Sequence, residues 1–174
     1  MIFIDEQSGC AICNESLNRP FLTTSGCAFP EGHALYPYCD TALHIDCLQD
    51  WPSRVEFSAA YFEQRLRQYQ DERWPVLCHG EAWMCGCALP YRGTVFESSP
   101  EIYIEVRIAD WPIDFICELN DWTAFLSGAW RQDSQDLHSY ALARAEVVIG
   151  EVVAATPSPA EIAGIYREAM KNRI

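Results

Sequence analysis

Two short pairs of cysteine and histidine near the start of the chain have the spacing of metal ligands. Cys10 and Cys13 are separated by two residues, as are His44 and Cys47, and 30 residues lie between the two pairs. Zinc takes thiolate and imidazole ligands in tetrahedral sets of four, and a Cys-x2-Cys turn supplies two of them. The sequence therefore predicts one structural zinc ion per chain, held by Cys10, Cys13, His44 and Cys47.

The remaining cysteines leave alternatives open. The chain has nine cysteines, an odd number, and its first residues lack the pattern of a signal peptide, so we do not expect a disulfide framework. Cys39 could replace His44 as the fourth ligand, or the set could be buried thiols that bind no metal. We expect Cys27, Cys78 and Cys117 to be core thiols.

A second group of metal-binding residue types could form an open catalytic site. His79, Glu81, Cys85 and Cys87 resemble the zinc deaminase pattern, in which His-x-Glu precedes Pro-Cys-x2-Cys. The match fails because three residues separate Glu81 from Cys85, the two cysteines are one residue apart, and the proline is missing. We interpret Cys85 and Cys87 as core thiols and predict no catalytic residues, with a zinc-dependent enzyme at these four residues as the alternative.

The metal pairs and the apolar residues around them resemble the treble-clef zinc module, in particular the first metal site of RING-type domains. The residues that carry the resemblance are Cys10-x2-Cys13 and Leu43-His44-x2-Cys47-Leu48-x2-Trp51, within residues 8–52. In that family a knuckle and a helix start hold the zinc, and the leucine and tryptophan after the last ligand pack locally. The whole chain is also similar to uncharacterised bacterial proteins with a Cys-x2-Cys and His-x2-Cys module, which implies no function.

The second RING site is not complete in this chain. Cys27, His33 and Cys39 could contribute to one, but its closing Cys-x2-Cys is replaced by Cys85-x-Cys87. The resemblance therefore implies a module with one site and does not imply ubiquitin-ligase activity. A RING-like adaptor remains an alternative function.

The elements that position these residues predict an α+β fold. Apolar periodicity and capping signals predict helices over 53–71, 120–126, 136–154 and 158–170, and strands over 74–78, 82–87, 102–108 and 113–117. On the first helix, we expect Phe57, Tyr61 and Leu66 to face the core and Arg65 to point outward. The predicted architecture is a zinc-held, treble-clef-like module (1–52) packed on a small antiparallel sheet covered by helices (53–174), in one compact unit.

Charge narrows the class of partner. Twelve Lys and Arg against 25 Asp and Glu give a net charge of −13, which disfavours nucleic acid and anionic membranes and favours a basic protein. Nine of the acids lie between residues 97 and 136, interleaved with aromatic residues. From this stretch we predict partner contacts at Glu97, Glu101, Glu105, Asp110, Trp111 and Asp114. The resulting hypothesis is a non-enzymatic cytoplasmic binding protein, of the kind that inhibits a basic toxin or effector as an immunity protein does.

Overall fold

The chain folds as a mixed α+β protein, as the sequence predicts, and its described residues form two small antiparallel sheets where the sequence predicted one. The computed structural model describes residues 8–24, 26, 28–72, 74–88, 101–133 and 139–171. The first sheet pairs β1 (Phe21–Thr23) with β2 (Ala42–His44). The second sheet has four strands in chain order, namely β3 (Val76–His79), β4 (Trp83–Cys87), β5 (Tyr103–Ile108) and β6 (Asp114–Glu118). Each strand of the second sheet overlaps a predicted one.

Each of the four predicted helices has a counterpart among the described helices, which include two further short ones. The described helices are α1 (Ile45–Asp50), α2 (Arg54–Asp71), α3 (Trp122–Ala124), α4 (Trp130–Asp133), α5 (Ser139–Ala155) and α6 (Pro159–Lys171), with further helical turns at Tyr36–Tyr38, Leu119–Asp121 and Phe125–Ala129. The chain bends at Gly128, whose φ of 121° changes the direction of the backbone before α4 begins. None of the described helices has the length and apolar character needed to cross a membrane.

A capping box, one of the capping signals from which this helix was predicted, forms the start of α6. The Ser158 backbone N–H and hydroxyl donate to the Glu161 carboxylate at 2.8 and 2.6 Å, and the Glu161 N–H lies 3.4 Å from the Ser158 hydroxyl oxygen. These hydrogen bonds lower the pKa of Glu161. Local chemistry therefore fixes this helix start before any packing is considered.

Helix α2 packs on one face of the second sheet, and a buried ion pair joins the two. Arg65 donates to Glu105 on β5 from Nε at 3.0 Å and from Nη2 at 2.5 Å. The prediction that Arg65 points outward is wrong, because the Glu105 carboxylate is fully buried and needs this cation beside it. The Tyr69 ring lies over Gly86 on β4, where an added Cβ would come within 2.6 Å of that ring. Glycine is required at this position because the ring approaches so closely.

The opposite face of the sheet is covered by α5. Trp83 on β4 donates its indole N–H to Glu151 of α5, and Cys78 on β3 contacts Thr156 just after that helix. One hydrophobic cluster runs from Leu35 and the β2–α1 segment to α5 and Ile162 of α6. The predicted domain boundary at residue 52 stays a prediction.

Candidate metal centre

Two local structures position the four predicted zinc ligands. Cys10 and Cys13 lie in a tight turn closed by the Asn14 N–H, which donates to the Cys10 carbonyl at 2.7 Å. Asn14 has a positive φ of 62°, which a short polar side chain tolerates. His44 is the last residue of β2 and caps α1, so Cys47 follows in the first helical turn.

The turn that contains Cys10 and Cys13 (the knuckle) is joined to the junction between β2 and α1 by hydrogen bonds from backbone N–H groups. The Ala11 N–H of the knuckle donates to the Ala42 carbonyl of β2 at 2.9 Å. The His44 N–H donates to the Cys10 sulfur at 3.2 Å. Hydrogen bonds therefore bring together two segments that are about thirty residues apart in the chain.

The ligand atoms converge at distances that suit one tetrahedral ion. The ligand atoms of Cys10, Cys13, His44 and Cys47 all lie within 4.8 Å of one another. His44 Nδ1 is 3.4 Å from the Cys13 sulfur and 3.9 Å from the Cys47 sulfur. Zinc bonds of about 2.3 Å to sulfur and about 2.0 Å to nitrogen place neighbouring ligand atoms roughly 3.5–3.8 Å apart. These residues therefore fit a zinc ion.

The histidine is oriented for this role. His44 is fully buried, and its Nε2 lies 3.2 Å from the Ser16 carbonyl oxygen. A carbonyl only accepts hydrogen bonds, so Nε2 carries the proton and Nδ1 keeps its lone pair towards the three sulfurs. Zinc-binding histidines characteristically donate their second ring N–H in this way.

Burial and neighbouring groups shift the pKa values of the thiols in the cluster. Burial opposes ionisation of Cys10, but backbone N–H groups of His44, Cys13 and Ile12 outweigh it and lower the pKa of this thiol. Burial, a hydrogen bond with Cys13 and nearby negative charge raise the pKa of Cys47 to about 12. A divalent cation among the sulfurs would favour both thiolates, because it supplies the positive charge they need.

Arg19 is a residue of the site that the sequence analysis missed. Its Nη2 lies 3.3 Å from the Cys47 sulfur and 3.6 Å from the Cys13 sulfur. Its guanidinium also pairs with Asp46 at 3.1 Å and with Glu15 at 3.2 Å. Three thiolates and one dication leave a net charge of −1, which Arg19 is placed to balance. An arginine between the two ligand pairs was the available signal in the sequence.

The rival ligands lie elsewhere. Cys39 is buried beside Tyr61, where its thiol and the phenol are hydrogen-bond neighbours, and it is not one of the four converging residues. His33 stacks on Phe29 with ring centroids 4.6 Å apart. Cys27 lies outside the described residues. Within the described part of the chain, the only cluster of three or more potential ligands is the one at Cys10, Cys13, His44 and Cys47.

The alternative catalytic residues do not converge. His79 and Glu81 are exposed at the β3–β4 hairpin, whereas Cys85 and Cys87 are fully buried in β4. The interpretation of the two cysteines as core thiols is confirmed by this burial. The four residues do not form a metal-binding group in the described structure.

Two of the six predicted partner contacts are buried. Glu105 is fully buried between Arg65 and Arg107, and the pKa of its carboxyl is lowered, because the two arginines and a Tyr69 hydrogen bond outweigh burial, which alone would raise it. Trp111 is fully buried with the Arg54 guanidinium 4.8 Å from its ring centre. Neither side chain offers surface to a partner, so we correct the prediction at these two positions.

The other predicted contacts are at the surface or outside the described residues. Glu97 lies outside them. Glu101 is exposed and accepts a hydrogen bond from Asn120. Asp110 and Asp114 are partly exposed, and each accepts hydrogen bonds from an arginine side chain. The partner-binding role of these residues stays a prediction.

Comparisons with known proteins found no match to this chain. No family model, curated protein or solved structure matches this chain. The resemblances to the treble-clef module and to bacterial proteins therefore depend on the sequence motifs alone. The arrangement of the Cys and His side chains is compatible with a zinc module on its own geometry.

Proposed function

We propose that this chain is a non-enzymatic binding protein whose N-terminal segment is stabilised by one structural zinc ion. The observation that carries the proposal is the convergence of three sulfurs and His44 Nδ1 within 4.8 Å. Three thiolates and one imidazole are a ligand set typical of structural zinc. Bound there, the ion would supply stability, because four protein ligands fill a tetrahedral shell and leave no position for substrate.

The segment around the site supports a stabilising role. Among the described residues of this segment, regular structure is confined to two three-residue strands, a short turn and the six-residue helix α1. Leu48 of α1 is fully buried. The Trp51 ring, which follows α1, packs against Tyr38 and Phe57 with 4.5 and 5.2 Å between ring centres. Metal bonds would hold α1 in place above this aromatic cluster.

Metal content of purified protein tests this proposal. We expect one zinc per chain by elemental mass spectrometry, lost together with thermal stability in Cys13→Ser. Cys39→Ser is the control, because Cys39 is an N-terminal thiol that is more buried than Cys13 and lies outside the cluster. Zinc retained in Cys13→Ser, or no zinc in the wild type, would overturn the proposal. Two zincs with one lost in Cys87→Ser would support the zinc-dependent enzyme instead.

We infer further that the partner is a basic protein, and that the outer strand β6 is where it binds. β6 is an end strand of the described four-stranded sheet. Its Ile116 is 38% exposed and lies between Asp114 and Glu118 on the same face of the strand. An exposed apolar residue flanked by carboxylates suits a partner strand with cationic side chains, since backbone pairing gives affinity and charge gives register. An immunity-type inhibitor of a basic toxin is the form of this function that we propose.

Reconstitution with an identified partner tests the binding surface. The tagged chain is used to capture a protein from its native host, and binding is then measured between the two purified proteins. We expect Asp114→Lys and Ile116→Asp to weaken the complex at least tenfold, and Glu63→Lys on α2 to leave it unchanged. Loss of the partner's own activity on complex formation would support the inhibitor role. Equal affinity in all variants would refute the β6 surface.

A further inference from the structure

Two cysteines of the second sheet lie directly opposite each other on neighbouring strands. Cys78 of β3 and Cys85 of β4 are partners in the antiparallel register, next to a bulge between residues 76 and 78. Opposite residues in such a pair have Cα atoms about 4.5–5.5 Å apart and side chains on the same face. A disulfide needs a Cα separation of about 4.4–6.8 Å, a range that includes the separation typical of directly opposite residues.

The two thiols differ in access and in chemistry. Cys78 is partly exposed on β3, an end strand of the sheet, whereas Cys85 is fully buried under α5. The hydrogen bond from the Cys85 thiol lowers the pKa of Cys78 to about 7, and burial opposes that shift. A hydrogen bond with Thr156 and the electrostatic effect of the neighbouring His79 act in the same direction as the hydrogen bond with Cys85. The pKa of Cys85 is raised by its neighbour Cys78 and by burial, with Cys87 adding to the effect.

We propose that Cys78 and Cys85 are a reversible oxidation site for hydroperoxides, with Cys78 reacting first and Cys85 closing the disulfide. The Cys78 thiolate attacks one oxygen of hydrogen peroxide, forming an S–O bond while the O–O bond breaks and hydroxide leaves. Cys85 then attacks the Cys78 sulfur, the S–S bond forms, and the S–O oxygen leaves as water with the Cys85 proton. The proton that Cys78 released on ionisation converts the hydroxide to water, so in total two thiols are oxidised and one peroxide is reduced to two waters.

The site is independent of the proposed zinc function. Neither cysteine belongs to the N-terminal ligand cluster, and both lie on the second sheet. A disulfide here would join β3 covalently to β4 beside Thr156, whose hydroxyl is 3.4 Å from the Cys78 sulfur. Oxidation would therefore fix the edge of the sheet where α5 ends.

Peptide mapping of the purified protein, treated with one equivalent of hydrogen peroxide, tests the proposal. We expect a peptide pair joined through Cys78 and Cys85, lighter than the two reduced peptides by two hydrogen atoms, which dithiothreitol separates. In Cys85→Ala we expect a sulfenic acid at Cys78 that dimedone captures. Cys117→Ser is the matched control, because Cys117 lies opposite Ile104 and not opposite a cysteine, and it should keep the crosslink.

The wild-type protein alone is sufficient to refute the proposal. Oxidation confined to Cys10, Cys13 or Cys47, with Cys78 and Cys85 still alkylated as free thiols, would overturn it. A disulfide that forms between Cys85 and another cysteine to the same extent in Cys78→Ser would overturn it as well. Failure of the zinc measurement would leave this result unaffected, because the two experiments read different cysteines.

Discussion

Replacing Arg19 with alanine should weaken zinc binding without removing a ligand. The side chain donates towards two of the sulfurs, at 3.3 Å from Cys47 and 3.6 Å from Cys13. It is held there by Asp46 and Glu15. Its loss would leave a four-ligand set with three thiolates uncompensated beside two carboxylates. The remaining N–H donor to the Cys10 sulfur comes from the backbone and would stay in place.

The size of the effect follows from how exposed the arginine is. Removing an outer partner of a metal ligand commonly costs 10- to 100-fold in metal affinity. The Arg19 side chain is 37% exposed, so water can replace part of its contribution. We therefore expect a loss at the lower end, about tenfold, and a smaller loss at high salt. Arg19→Lys should lie between wild type and alanine, because one ammonium cannot reach both sulfurs and both carboxylates together.

Competition with a chromophoric zinc chelator measures this affinity directly. Arg67→Ala is the control, since Arg67 is an exposed arginine on α2 and removes the same charge from the chain. Equal zinc affinity for wild type and Arg19→Ala would show that Arg19 is an ordinary surface cation. An equal loss in Arg67→Ala would show that only net charge matters.

Three further predictions concern the second sheet. Arg65→Ala should lower the free energy of unfolding by about 3 kcal/mol in urea titrations, because it strands a buried carboxylate. The pKa of Glu105 is lowered in the native state, so its stabilisation is present at neutral pH and lost on acidification, and the Arg65→Ala penalty should shrink in acid. Gly86→Ala should cost about 1–3 kcal/mol in thermal unfolding, through its clash with the Tyr69 ring, and Tyr69→Leu in the same chain should relieve the clash. Alkylation of Cys78 by iodoacetamide, followed by mass spectrometry, should rise with pH through a midpoint near 7, since the thiolate is the reactive form, whereas an ordinary midpoint of about 8.5 would contradict the assignment.

The sequence was most informative where chemistry is local. The spacing of Cys10, Cys13, His44 and Cys47 predicts a cluster that the structure brings together. The capping box at Ser158 and the alternating pattern of β5 predict their elements because both signals depend on neighbours within a few residues. The capping box and the strand pattern need no knowledge of which surfaces meet in the fold, and the four ligands were recognised from the spacing within each pair.

Long-range pairing could not be read from local patterns. Arg65 occupies a helix position that amphipathicity assigns to solvent, and Glu105 occupies the polar face of an alternating strand. The two meet because α2 packs over that face, and each makes burial of the other tolerable. Arg19 was missed for a related reason, since only the fold places its guanidinium beside two sulfurs.

The buried pair of Arg65 and Glu105 also limits how far the net charge of the chain supports binding of a basic protein. Net charge counts every carboxylate equally, yet Glu105 is enclosed with Arg65 and Arg107 and is not available for steering a partner. Long-range attraction of a basic protein depends on the charges that remain exposed to solvent. The case for binding therefore rests less on the total of −13 than on β6, where Ile116 and Asp114 are both exposed on an end strand. A partner that binds there should respond to the apolar substitution at low and high salt alike, and to the charge substitution mainly at low salt.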